Sequence, residues 1–266
     1  MLKNIAVALF LLCLGVRPAA AQFMIEEGKV VLPVAGGERV NKSITIHNTT
    51  GADVGVKVYW EDFRYEAPYD GSKAFLPAGT VPGSASAWVS YAPQEFKLPA
   101  FSKQKIEYTV SVPADIKGGH YGALFFEKSG EPVRDMRTGV TIVTRTGTLF
   151  FIEARDKDKS AALTDFKIEG GKLSGNFVDR GDAVMIPHIT FYVMDEAGMA
   201  VDRGEVQKLY LPPGASAPFT LNLPKELKDG RYSLVLNADL EEGDVIVKEI
   251  EFTNSAAGAV ITAVKD

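Results

Sequence analysis

The sequence predicts an all-β protein, two β-sandwich domains in series behind a cleaved export signal. Three observations carry this. Apolar residues alternate along most of the chain in runs rich in Val, Ile, Thr, Phe and Tyr, the period of a half-buried strand. Gly- and Pro-rich turns separate the runs, and no convincing amphipathic helix interrupts them. One punctuation also occurs twice: a Pro, then a Gly six residues on and a Tyr eight residues on, as Pro113, Gly119, Tyr121 and again as Pro224, Gly230, Tyr232.

The N-terminus reads as an export signal. Lys3 is followed by an apolar run from Ile5 to Val16 and by small Ala19 and Ala21, the pattern of a secretory peptide cleaved after Ala21. The run is too short to span a bilayer comfortably, and no later stretch is long enough. The chain therefore divides into a signal peptide (1–21), a first domain (22–155), a second domain (156–254) and a C-terminal tail (255–266). In the first domain "SITIH" puts Ile44 and Ile46 on one face, "NTTGAD" turns, and Val54, Val56, Val58 and Trp60 share the next face, read as a hairpin with one buried side. Further strands follow to Ala154, broken by a long Gly-, Pro- and Ser-rich loop from Arg64 to Ala87; loops of that length are commonly functional. Charged "EARDKDKSA" (153–161) marks the boundary. The alternation then restarts, with "EGGK" and "DEAG" as hairpin turns. The repeated Pro-Gly-Tyr spacing precedes the penultimate strand of each half. Pro ends a strand, Gly turns the corner, and Tyr buries its ring while its hydroxyl bonds nearby backbone. This is the tyrosine-corner logic of immunoglobulin-like sandwiches, so the fold expected is two immunoglobulin-like β-sandwich domains.

Composition excludes several functions. Cys13, the single cysteine, lies in the signal segment, and its Leu12 neighbour argues against a lipid anchor. The remaining chain can form no disulfide, Cys metal site or Cys nucleophile. Removing Lys3 and Arg17 takes the formal charge from −5 to −7, and no basic patch suggests nucleic acid. His47, His120 and His188 are far apart, with no partner at metal-ligand spacing. The adjacent acids Glu26–Glu27, Glu61–Asp62, Asp195–Glu196 and Glu241–Glu242 point to opposite faces of strands and make no acid/base pair. "DLEEGD" (239–244) reads as a solvated turn rather than a Ca²⁺ loop. No nucleophile elbow or phosphate loop occurs. The reading is a binding protein without cofactor or metal, not an enzyme.

The binding candidate is the stretch from Gly139 to Ala154, read as one long final strand of the first domain, with a bulge at Gly147. Its "VTIV" is apolar on both faces, unusual for an edge: either the second domain or the long loop covers the strand, or an extended partner pairs with it by strand addition. Val140, Ile142, Leu149 and Phe151 are the candidate pocket contacts. "LPAFSKQKIEYTVSVP", "HYGALFFEKSGEP" and "VTRTGTLFF" resemble strands of the periplasmic pilus-chaperone (PapD-like) family. That resemblance implies two sandwiches set at an angle and a strand lent to an incomplete pilus subunit. It also implies a cationic anchor for the subunit's carboxylate, for which Arg145 and Lys29 are the candidates here. A competing resemblance runs over about residues 25–130, through "YDGS" and "AWVSYAP", to the first domain of WxL-interacting cell-surface proteins. It implies attachment at a cell surface, with Tyr65, Tyr69 and Phe75 of the long loop as contacts. The partner on either view is another exported protein, a pilus subunit or a surface protein, met in the periplasm or at the cell surface.

Overall fold

The computed structural model describes residues 23–129, 133–134, 141–242 and 244–266, with backbone alone at 133, 134, 141 and 142. The segment read as an export signal (1–21) and Val140 lie outside the described residues. Every described element is a strand. The first sandwich comprises β1 (Phe23–Ile25), β2 (Lys29–Val34), β3 (Arg39–Asn48), β4 (Val54–Tyr65), β5 (Lys73–Pro77), β6 (Val89–Ala92), β7 (Glu95–Leu98), β8 (Lys103–Ser111), β9 (Gly119–Ser129) and β12 (Arg145–Ala154), with a small hairpin of β10 (Val133–Arg134) and β11 (Thr141–Ile142). One sheet runs β1-β3-β8-β6 and the other β2-β12-β9-β4-β5, with β7 on β4. The second sandwich packs β13 (Ala161–Glu169), β14 (Lys172–Asp179) and β17 (Ser216–Asn222) against β15 (His188–Asp195), β16 (Ala200–Glu205), β18 (Gly230–Asp239), β19 (Val245–Ser255) and β20 (Gly258–Lys265). Among the described residues no helix is long and apolar enough to cross a membrane.

The alternating residues fill the interiors. Ile44, Ile46, Val56, Val58 and Trp60 join Ile106, Phe126 and Phe150 in the first core, and Leu173, Phe177, Leu234, Leu236 and Phe252 build the second. The β3–β4 hairpin, however, does not form. β3 pairs with β1 and β8, whereas β4 pairs with β5, β7 and β9. "NTTGAD" carries the chain from one sheet to the other, so the two apolar faces meet across the sandwich. Pairing the strands side by side would also have buried one face; periodicity fixes the face and leaves the sheet open. The turns at Gly170–Gly171 and at Gly198 do close hairpins, β13–β14 and β15–β16, with all three glycines at positive φ (57°, 73° and 77°). The segment read as a tail is edge strand β20, paired with β19 from Gly258 to Lys265. Ala259 and Ile261 reach the second core from it, which offsets the cost of ordering a Gly- and Ala-rich stretch.

The repeated Pro-Gly-Tyr spacing serves two different purposes. Tyr232 is a corner: its hydroxyl donates to Lys228 O at 3.2 Å, a few residues upstream. Tyr121 has no such bond. Its hydroxyl accepts the Val184 N–H of the second sandwich at 2.6 Å and donates to Glu153 Oε1 at 3.3 Å. The ring lies over Gly119, where a Cβ would fall 1.8 Å from the hydroxyl, so Gly119 is required by close approach. The positive φ sits one residue earlier, at Gly118 (61°). Around Tyr121 a third apolar cluster joins the outer face of the β12-β9-β4 sheet (Phe63, Tyr65, Phe125, Phe151) to Val184 and Ile186 of the second sandwich.

The long loop is a strap rather than a free surface. β5 adds it to β4. Buried Asp62 then gathers its return: Oδ2 accepts the N–H groups of Thr80 and Val81, and Oδ1 accepts Ser84 Oγ and Trp60 Nε1. Tyr69 O accepts the Tyr210 N–H at 2.9 Å, tying the strap to the second sandwich. Tyr65 is buried, Tyr69 is half-buried against the second sandwich, and Phe75 lies edge-on to Phe125.

Two outcomes follow for stability. Tyr121→Phe strips a buried N–H and a carboxylate of their partner and costs about 1–3 kcal/mol, whereas Tyr232→Phe costs about 1 kcal/mol or less; denaturant unfolding of the two variants makes the comparison. Asp62→Ala costs about 3 kcal/mol or more, since hydrogen bonds to a charged group are each worth about 1.5–3 kcal/mol, and it opens the strap to limited proteolysis between residues 66 and 86.

Candidate functional site

β12 is less of an edge than its sequence suggests. The expected strand from Gly139 to Ala154 is two: Thr141–Ile142 belong to the β10–β11 hairpin, and β12 begins at Arg145. From Leu149 to Ala154 β12 is flanked on both sides, by β9 and by parallel β2. Among the described residues, Arg145–Thr148 has β9 on one side and no strand on the other. Leu149 N–H donates to Gly28 O, away from β9. Alternation therefore turns the backbone N–H and C=O of Arg145 and Gly147 outward, while Thr146 and Thr148 face β9. Thr148 Oγ1 donates to Glu27 O at 2.6 Å and so marks where β2 takes over the edge.

Gly147 makes no bulge, since its register with β9 is continuous. Its missing side chain makes room for a ring: a Cβ would lie 2.9 Å from Phe125 Cε1. Beside it opens a cleft of about 400 Å³ lined by Lys73, Phe75, Ala123, Phe125, Gly147 and Leu149. It adjoins the open edge, with an apolar floor and one cation.

The sequence-derived site residues separate on inspection. Phe151 is buried at 3% exposure in the cluster between the sandwiches, with Val184 and Ile186, so its side chain is enclosed rather than presented at the surface. The strand's parity placed it correctly on the Leu149 face, but the second sandwich covers that end. Leu149 is partly buried and lines the cleft. Ile142 pairs with Val133 through its backbone, and Val140 is outside the described residues. Arg145 is already engaged: its guanidinium pairs with Glu61 at 2.8 Å, donates to Tyr59 Oη at 3.2 Å and stacks 4.2 Å over Phe125. Tyr59 donates in turn to Glu127, and burial, then that bond, pushes its phenol above the usual range. Lys29 lies 4.5 Å over the Phe151 ring, with no carboxylate at ion-pair distance among the described residues. Sequence reasoning missed Lys73. Its Nζ sits 4.8 Å over Tyr65 and bonds Gly71 O, and burial lowers its pKa. No sequence signal connects a strap lysine with a strand 70 residues later; only the β4–β5 pairing does. The histidines are dispersed, His47 on Glu26, His120 tilted against Trp88 and His188 beside Glu205. In the acidic turn, Glu242 pairs with Lys157.

Searches for relatives set this geometry in context. No family model matches the sequence and no curated protein does. Among solved structures, a chain from a chaperone–tip adhesin complex of CFA/I fimbriae biogenesis superposes with a TM-score of 0.54 at 13% identity, covering 85% of this chain and 97% of that one. That likeness is one of fold: the two β-sandwiches in series are shared with that chain. The class 5 fimbriae chaperone CfaA gives a TM-score of 0.49 at 13% identity (85% and 97% covered), and the YadV chaperone 0.46 at 11% (87% and 100% covered). β12 is the last strand of the first sandwich, and its segment without a second neighbouring strand among the described residues opens beside the cleft.

Gly147→Val overfills the contact with Phe125 and costs about 1–3 kcal/mol. Gly147→Ala costs less than about 1 kcal/mol, because the Phe125 ring has the cleft to move into. Thermal and denaturant unfolding of both variants check this.

Proposed function

We propose that this protein is an exported, non-enzymatic chaperone that holds an extended segment of another exported subunit by β-strand addition at Arg145–Thr148. The supporting observation is the juxtaposition of an unpaired strand edge with an apolar cleft. Main-chain bonds from Arg145 and Gly147 supply affinity, and a partner side chain in the cleft supplies selectivity. The partner segment extends the β12 side of the sheet in the gap before β2 begins. An apolar side chain of the partner fits above Phe125. Lys29 and Lys73 are the cations offered to a partner carboxylate; Arg145 is spent on Glu61. The export signal and the PapD-like fold support the periplasm as its location, and the fold supports a pilus or surface-fibre subunit as its partner. Of the strap aromatics, Tyr65 is buried and Tyr69 packs against the second sandwich, which leaves Phe75 alone exposed for the competing surface-module reading.

The test is a pull-down from the native exported fraction with the chain from Gln22 to Asp266, comparing wild type with Gly147→Ala and Gly147→Pro. Alanine keeps the outward N–H and proline removes it while sparing the β9 ladder. Capture of a small β-rich subunit by wild type, with a further loss of at least tenfold from Gly147→Ala to a folded Gly147→Pro, is the expected result. Undiminished capture by Gly147→Pro, or retention of wall glycan alone, would overturn the proposal.

A further inference from the structure

The joint between the sandwiches holds an acid that neither core requires. Asp179 ends β14 and is 1% exposed. Its Oδ1 accepts the Gly181 N–H at 2.8 Å, while its Oδ2 is buried without a partner. Two further carboxylates face it, Asp158 from the linker and Asp182 from the loop after β14; Lys159 is the cation nearby, and Arg180 points to solvent. β17's approach contributes only the Ala215 carbonyl, which accepts the Asp179 N–H. From the first sandwich come Tyr121, whose hydroxyl senses the Asp179 charge, and Glu153, bonded to that hydroxyl and paired with Lys157. Burial, supported by Asp158 and Asp182, pushes the Asp179 carboxyl up to about 6 against the pull of Gly181 N–H and Lys159.

These residues are also the ones that lock the joint. Asp158 N–H donates to Asp182 Oδ1 at 2.8 Å, and Asp182 N–H donates to Asp158 O at 3.0 Å. Asp182 O accepts the Gly119 N–H at 2.9 Å, and Val184 N–H reaches Tyr121. The packing has no slack: a Cβ on Gly181 would lie 2.1 Å from Asp158 O, and one on Gly118 would lie 2.2 Å from Asp182 O. A charge on Asp179 puts three carboxylates around two backbone cross-links, with one buried oxygen unsolvated.

We propose that Asp179 makes the joint between the two sandwiches pH-responsive, docked tightly while its carboxyl is neutral and loosened once it is charged. The sign follows from linkage. A carboxyl whose docked-state pKa stands above its ordinary value of about 3.9 favours the docked state below that value, and the benefit is lost as the pH rises through about 6.

Hydrogen exchange at the Gly119 and Val184 amides, whose bonds cross the joint, tests this. After correction for intrinsic exchange, wild-type protection should fall on the order of 50-fold between pH 4 and pH 7.5, the ratio that pKa values of about 6 docked and about 3.9 open imply. In Asp179→Asn the protection should not vary with pH. A flat wild-type profile, or an equal fall in Asp179→Asn, overturns the proposal. A carbon-13 titration of the wild-type Asp179 carboxyl needs no variant: a midpoint near 6 supports the switch, and one below about 4.5 overturns it.

Discussion

The contact on which the molecule turns is the Tyr121 hydroxyl, held between the Val184 N–H and the Glu153 carboxylate. It is buried, and its ring is the centre of an apolar cluster to which both sandwiches contribute. Burial and the neighbouring Glu153 carboxylate push its phenol far above the usual range, so it stays neutral and can both accept and donate. A sandwich ordinarily shows water one face of each sheet. Here the outer face of the β12-β9-β4 sheet is itself a core, roofed by the second domain and the strap.

That roof decides what remains available for binding. It encloses Phe151 and Tyr65 and stops at the cleft beside Leu149. β2 closes the strand edge up to the same point. The short free edge and the apolar cleft are thus what two coverings leave open at one place. Arg145 limits the site on its far side by neutralising Glu61 over the Phe125 ring. The strap's lysine enters because β5 pairs with β4, two strands away from β12 in the same sheet.

The joint itself contains more ionisable groups than adhesion requires. Lys157 has a nearly buried side chain between Glu153 and Glu242, fastening the linker to both sandwiches. The Lys157–Glu153 pair is buried, whereas Glu242 is exposed; a buried pair adds little net stability against apolar replacements but is costly to break singly. Together the two pairs hold the linker in one register. Asp179 stands outside this pairing, which is why its protonation has somewhere to act.

The sequence by itself determined the strand content, the alternating faces, the hairpin glycines and the two-sandwich plan, because each depends on neighbours within a few residues. Ile44, Val56 and Phe177 went inside as their parity required. It also named Leu149 and Arg145, which the structure places at the cleft and at the start of β12. Only the tertiary structure decided that β3 and β4 lie in opposite sheets, that Gly147 yields to a ring rather than to a bulge, and that Tyr121 serves the joint while Tyr232 serves its corner. It alone enclosed Phe151, occupied Arg145 and brought Lys73 to the cleft. The physical reason is common to all of these. Period-two patterning states which side of a strand is buried but carries no information on what buries it. Whether an edge, a cation or a hydroxyl is free depends on residues tens of positions away.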